Sequence, residues 1–129
     1  MVADRFFVST YAYQIAGHGL DDALVRAANA LATRGIVPDL TLLLTLSSAT
    51  AADRRTARGQ ADRLERYGSA FDQRVAQAYA DSLTAVWQAA RPECGRIVAV
   101  PAEGARESIT ARLLTAIVEH TGADAVLTG

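Results

Sequence analysis

Lysine is absent: all 13 basic residues of this 129-residue chain are arginine. A GxxxxGK[ST] phosphate-binding loop needs its Lys, so these residues cannot form one. Schiff-base and Ser–Lys chemistry are excluded on the same ground. Cysteine occurs once, at Cys94, which leaves no internal disulfide and no Cys-based zinc site, and suits a reducing compartment. The two histidines, His18 and His120, lie far apart with no carboxylate at ligand spacing, so side chains alone do not suggest a metal site. No apolar run approaches the ~20 residues of a membrane span; the longest is Leu40–Leu46. The opening MVADRFF is charged by residue 4 and lacks the apolar stretch of a signal peptide. Thirteen basic against fourteen acidic residues give a net charge of −1 and no strongly basic character, which argues against general nucleic-acid binding. The expectation is a soluble, cytoplasmic chain with no membrane and no nucleic-acid partner.

Half the residues are apolar, enough for a core. The length fits one domain, 1–129. Leu40–Leu46 and Ile97–Val100 are short apolar runs bounded by turn formers, as in strands of a parallel sheet buried on both faces. Leu24, Ala28 and Leu31 mark one face of a helix from about Asp22 to Arg34, ended by Gly35. Phe71, Val75, Tyr79, Leu83 and Trp87 recur every four residues, which predicts one long amphipathic helix from Ser69 to Ala90. Ser69 and Asp72 resemble a capping box at its start. Ile109, Leu113, Ile117 and His120 mark a last helix, with His120 as a cap favoured by the helix dipole. Strands alternating with helices give an α/β class.

Two segments carry candidate chemistry. Residues 4–14, DRFFVSTYAYQ, bring Asp4, Arg5, Ser9, Thr10, Tyr13 and Gln14 together directly after the expected strand end. In open α/β sheets the ligand crevice lies at the carboxyl ends of the strands. There an Arg can grip phosphate with a bidentate fork, a Gln can match a base edge, and a Tyr can wall a sugar. The plain alternative is a polar helix start with Phe6 and Tyr13 in the core. The second segment, residues 48–67, holds Arg54, Arg55, Arg58, Arg63 and Arg66 among Asp53, Asp62 and Glu65. It reads either as a self-paired, solvated face or as a lid whose arginines close over a transferring phosphoryl group.

Three blocks resemble the thymidylate kinase family, in its order and spacing: DRFFVSTYAYQIAGHGL, LATRGIVPDLTLLL, and RRTARGQADRLE followed by FDQRVAQAY. They cover roughly residues 2–80, and IVAV–PA with the last helix fits the remainder. The resemblance implies a partial P-loop kinase fold: a three-layer αβα arrangement around a parallel sheet of strand order 2-3-1-4-5. In that scheme a strand ending at Ala3 is the third, Leu40–Leu46 the fourth and Ile97–Val100 the fifth. The first strand and the phosphate-binding loop precede the DR pair in the family and are not in this sequence. The domain is therefore expected to be incomplete, with its lid at about 48–67.

The resemblance also implies ATP-dependent phosphorylation of dTMP to dTDP, with Mg²⁺. Arg5 would contact the dTMP phosphate, Thr10 and Gln14 the base, and Tyr13 the deoxyribose side. Arg54, Arg58 and Arg63 would act as catalytic lid arginines, Asp4 and Glu65 would reach Mg²⁺, and Pro101–Glu103 would flank adenine. His18, Thr45 and Ala76 depart from the family's usual Arg, Asp and Arg. Without a central strand, unpaired backbone groups at about 1–3 kcal/mol each would consume much of a stability of ~5–15 kcal/mol. The chain alone is thus expected to be inactive, and to be unstable, rearranged, or completed by a second copy or a complementing N-terminal chain. The alternative is a non-catalytic nucleotide-binding or interaction module.

Overall fold

The computed structural model describes residues 1–47, 50 and 68–122. Residues 1–5 are exposed and form no strand; Val2 is 99% accessible, so the strand expected to end at Ala3 is not formed. The chain enters a short helix α1 (Phe7–Thr10) that continues without a break as a π-helix, Tyr11–Gly17. The wider winding shows in the bond from the His18 amide to the Tyr13 carbonyl, 2.9 Å.

Helix α2 (Asp22–Thr33) starts where Asp21 accepts the Leu24 amide at 2.9 Å. It stops as expected, with Arg34 left-handed at φ 53° and Gly35 following at φ 72°. Its orientation is not the one its apolar pattern suggests. Leu24 and Leu31 are 72% and 83% exposed, and Ala28 is exposed as well. The half-buried side is instead Asp22, Val25, Arg26, Asn29 and Thr33. Polar ties from Arg26 to Glu93 and from Asp22 to Arg91 hold α2 in place of its leucines.

Strands β1 (Leu40–Thr45) and β2 (Arg96–Pro101) pair in parallel from Leu40↔Arg96 to Thr45↔Pro101. Ile97 and Val100 are three residues apart, so they point to opposite faces, and both are buried. Ile97 joins a cluster with Phe7, Val8, Tyr11 and Cys94, against which Leu43, Tyr79, Leu83 and Trp87 pack. The helix α5 (Arg106–Thr121), with Ala116 buried, packs on both strands. β2 thus buries a residue on each face, though Ala99, on the Ile97 face, stays exposed. β1 is not buried on both faces as expected: Leu44 is 52% exposed, and among the described residues no strand lies beside its outer edge.

The long helix expected over Ser69–Ala90 is two helices, α3 (Gly68–Ser82) and α4 (Ala85–Ala90). Thr84 interrupts it in an extended conformation (φ −80°, ψ 144°) and caps α4 by accepting the Trp87 amide at 3.3 Å. The fully buried Ser82 turns its hydroxyl back to the Tyr79 carbonyl at 2.7 Å. Gln88 then bridges the break to the sheet: its amide donates to the Ser82 and Ile97 carbonyls and accepts the Ile97 amide, at 3.1–3.2 Å. A 3₁₀ turn, Pro92–Cys94, leads to Gly95, whose φ of 65° and ψ of −166° suit only glycine. His120 sits in the last turn of α5, where the dipole favours it. The end of α5 is closed by Gly122, which donates to the Val118 carbonyl at 3.0 Å.

Candidate functional site

Arg5 is the first sign of a site. It is a non-glycine residue held at φ 64°, a left-handed conformation that costs about 1–3 kcal/mol and concentrates at functional positions. Its guanidinium lies 5.5 Å over the Tyr13 ring centroid, in cation–π contact. Arg5 itself is exposed, so most of its donors remain turned to solvent. Tyr13 is half-buried and wedged among Phe71 and Tyr79, with ring centroids 6.2 and 6.3 Å away. Thr10 is half-buried at the end of α1, while Gln14 and Asp4 are exposed. Of the expected nucleotide contacts, the structure therefore brings Arg5 and Tyr13 together, and places Thr10 and Gln14 on the same helical run. Arg54, Arg58, Arg63 and Glu65 lie outside the described residues.

The π-helix that carries Tyr13 and Gln14 is gripped from several sides. Ala12 is buried with Phe71 and Val75 of α3. Ser9 hydrogen-bonds the Tyr79 hydroxyl at 2.9 Å. Gly17 approaches α3 so closely that a Cβ would lie 2.6 Å from the Phe71 ring. Arg74 donates to the carbonyls of Ala16 at 3.1 Å and Gly17 at 2.8 Å, which secures the end of the π-helix. His18, where the family resemblance expects Arg, is exposed with its ring 4.9 Å from Phe71.

At the other end, Tyr11 begins the π-helix and is 4% exposed. Its hydroxyl donates to Glu93 in the 3₁₀ turn. Arg26 of α2 grips the same carboxylate, Nε at 2.8 Å and Nη2 at 3.3 Å. Burial alone would push the Glu93 carboxyl up. The hydrogen bonds from Tyr11 and from its own backbone, and the charge of Arg26, outweigh that and hold it below the usual carboxylate range. Burial and the bond to Glu93 push the Tyr11 phenol up, so it stays a proton donor. Beside them, Arg91 stacks on Trp87 and Tyr11, 4.7 and 5.2 Å from the ring centroids, and pairs with Asp22 at 3.4 Å. Cys94 is fully buried, and burial together with the Glu93 charge pushes its thiol up to about 12. A thiol so buried and so weakly acidic has little thiolate to react.

The loop expected to flank adenine is ordered around Arg112. This residue donates to the carbonyls of Pro101 and, at 2.9 Å, Glu103. The Glu103 carboxylate accepts the Ser47 amide at 2.8 Å, and the Ala102 amide donates to Thr45 at 2.8 Å. The ends of both strands are thereby joined. A separate hollow of about 350 Å³ lies beside α2, lined by Phe7, Arg26, Ala30, Ile36 and Glu93 among others; of the expected site residues that are described, none lines it. Arg26, Arg74, Arg91, Glu93 and Arg112 escaped the sequence reading. All but Arg112, whose partners lie 9 and 11 residues away, act on partners distant in the chain, and only the Pro-Glu that opens the 3₁₀ turn was a local signal.

Among the described residues no group of three or more His, Cys, Asp or Glu side chains could hold a metal ion. Nor is any described helix long and apolar enough to cross a membrane. The sequence profile of the thymidylate kinase family matches residues 1–93. A thymidylate kinase of Rhizorhabdus wittichii is 36% identical over 121 residues, 92% of this chain and 55% of the relative. One from Deinococcus radiodurans is 41% identical over 99 residues, 72% of this chain and 48% of the relative. One from Carboxydothermus hydrogenoformans is 43% identical over 79 residues, 61% of this chain and 39% of the relative. The chain thus spans about half the length of the curated relatives it matches.

Proposed function

The chain belongs to the thymidylate kinase family, and from that premise we propose that it supplies the dTMP-binding segment of an ATP-dependent phosphoryl transfer yielding dTDP. The observation that carries this reading is Arg5, held in a costly left-handed conformation above Tyr13 with its fork open to solvent. A guanidinium so held can take a phosphate bidentately, while the Tyr13 ring offers its face to the sugar. Thr10 and Gln14, on the same run, supply donors and acceptors for a base edge. In this reading the lid arginines Arg54, Arg58 and Arg63 neutralise charge on the transferred group, and Pro101–Glu103 borders the adenine of ATP. Asp4 is exposed and belongs to no group of three or more metal-binding side chains among the described residues, so the described residues alone do not make a Mg²⁺ site; Glu65, the other expected ligand, lies outside them.

Residues 1–129 contain no lysine, and phosphoryl transfer in P-loop enzymes relies on one. The chain alone therefore binds dTMP without turning it over. Isothermal titration with dTMP, beside a coupled ATP/dTMP assay, tests both halves. Normal turnover by this chain alone refutes the second half, and absence of dTMP binding refutes the first.

A second reading is favoured by the bare side of the fold. Among the described residues no strand accompanies the outer edge of β1, Leu44 is exposed, and Leu24, Leu31, Ile36 and Val37 are exposed as well. Such a surface suits an interaction module that pairs with a complementing chain or a second copy. Light scattering after size exclusion discriminates, because a well-behaved monomer speaks against it.

A further inference from the structure

We propose that Glu93 is a positioning residue for the nucleotide segment: its carboxylate, fixed by Arg26, receives the Tyr11 hydroxyl and sets the winding of Tyr11–Gly17, which directs Tyr13 to Arg5. The purpose assigned to this anchor rests on the dTMP reading above.

The π-helix is the reason an anchor is needed. π segments are rare, short and concentrated at functional sites, because the ordinary α register competes with them. Reversion to α would carry every side chain after the conversion point around the helix axis. Tyr13 and Gln14, two and three residues beyond Tyr11, would then leave their present directions. The segment is pinned at both ends. Arg74 holds the carbonyls of Ala16 and Gly17 at the far end. At the near end the hydroxyl of the buried Tyr11 donates to Glu93.

Glu93 is well placed for this duty. It sits in a 3₁₀ turn between α4 and β2, next to the fully buried Cys94, so its backbone is set by the core and not by the helix it restrains. Arg26 occupies both carboxylate oxygens from a third element, α2. A phenol donating to a carboxylate is a charge-assisted bond, stronger and more directional than a neutral one. Arg91, stacked on Tyr11 and Trp87 and paired with Asp22, closes the ring from the other side. Neither Glu93 nor Arg26 is among the residues expected to touch nucleotide.

The test uses the full chain with Glu93→Ala, Glu93→Gln, Tyr11→Phe and the double variant Tyr11→Phe/Glu93→Ala. Amide hydrogen exchange is followed across the chain, and dTMP binding by calorimetry. Glu93→Ala is expected to speed exchange within residues 11–20 selectively, leaving α5 unchanged, and to weaken dTMP about tenfold, equivalent to about 1.4 kcal/mol. Glu93→Gln keeps an acceptor for Tyr11 and should restore most of both. Tyr11→Phe should resemble Glu93→Ala, and the double variant should be no worse than either single one. Emission from Trp87, the chain's one tryptophan, 5.5 Å from the Tyr11 ring, reports whether each variant keeps the surrounding cluster. Exchange in 11–20 that is unchanged, or raised equally everywhere, overturns the proposal. So do losses that add in the double variant. Selective exchange with no dTMP binding even by the unmodified chain upholds the anchor and overturns the nucleotide reading.

Discussion

Replacing Gly95 by alanine should do more damage than any other glycine-to-alanine change in the described turns. Two separate penalties meet there. The first is conformational: φ 65° with ψ −166° is a region essentially reserved for glycine, and forcing another residue into it costs about 1–3 kcal/mol. The second is steric. A Cβ at Gly95 would stand 2.0 Å from the Pro38 carbonyl oxygen, and real Cβ contacts essentially never fall under 3.0 Å, so the gap must open by about 1 Å. The obstacle is backbone and cannot swing aside. Pro38 leads directly into β1, and Leu40↔Arg96 is the first rung of the parallel ladder, so retreat of Pro38 strains the sheet where it begins. Overpacking of this kind adds about 1–3 kcal/mol. The sum, about 2–6 kcal/mol, is a large share of a typical ~5–15 kcal/mol. For a chain of this size it should lower Tm by roughly 10–20 °C. Gly19→Ala is the internal control: φ is 73° there, but nothing lies within 4 Å of the added carbon, so only the left-handed penalty of about 1–2 kcal/mol remains. Thermal melts followed by circular dichroism compare the two. Equal melting temperatures for Gly95→Ala and Gly19→Ala would refute the argument, because the Pro38 contact would then count for nothing.

Further outcomes follow from the site. Arg5→Gly removes the left-handed strain together with the guanidinium, so it should leave Tm unchanged or higher while weakening dTMP binding at least ~10-fold; a variant that binds as well as the parent would show that Arg5 takes no phosphate. Cys94 should resist thiol reagents in the native chain and react fully in denaturant, read by absorbance of the released chromophore. Because the Glu93 carboxyl is held below its ordinary 4.5, its contribution to stability is present above that pH and lost as pH falls through the folded value. Tyr11 is raised above its ordinary 10.0, so its contribution is present below that pH and lost as pH rises through the folded value. Urea midpoints across pH should show both limbs, and Glu93→Gln should flatten the acidic one; an unchanged acid limb would mean the Glu93 contacts do not stabilise the fold.

The strands and the start and stop of α2 were legible because apolar runs, turn formers and a left-handed stop act locally. The face of α2 was not. Its leucines form a sound amphipathic stripe, yet they stay exposed, and the helix is held by Arg26 to Glu93 across 67 residues of sequence. The break between α3 and α4 was hidden for a different reason: the four-residue spacing runs unbroken through Leu83 to Trp87, while Thr84, a good capping residue, was readable only as one more polar position. The family blocks located Arg5 and Tyr13, and the structure brings these two into contact. The winding of their helix was illegible, since residue preferences do not distinguish π from α. Its anchor lies 82 residues away from Tyr11.

Among the described residues no strand pairs with the outer margin of β1. A row of backbone amides and carbonyls beside an uncovered Leu44 accepts any extended segment, and an identical molecule presents the same margin. Self-association should therefore rise steeply as the solution is concentrated, and a short peptide that binds along this margin should keep the chain dispersed.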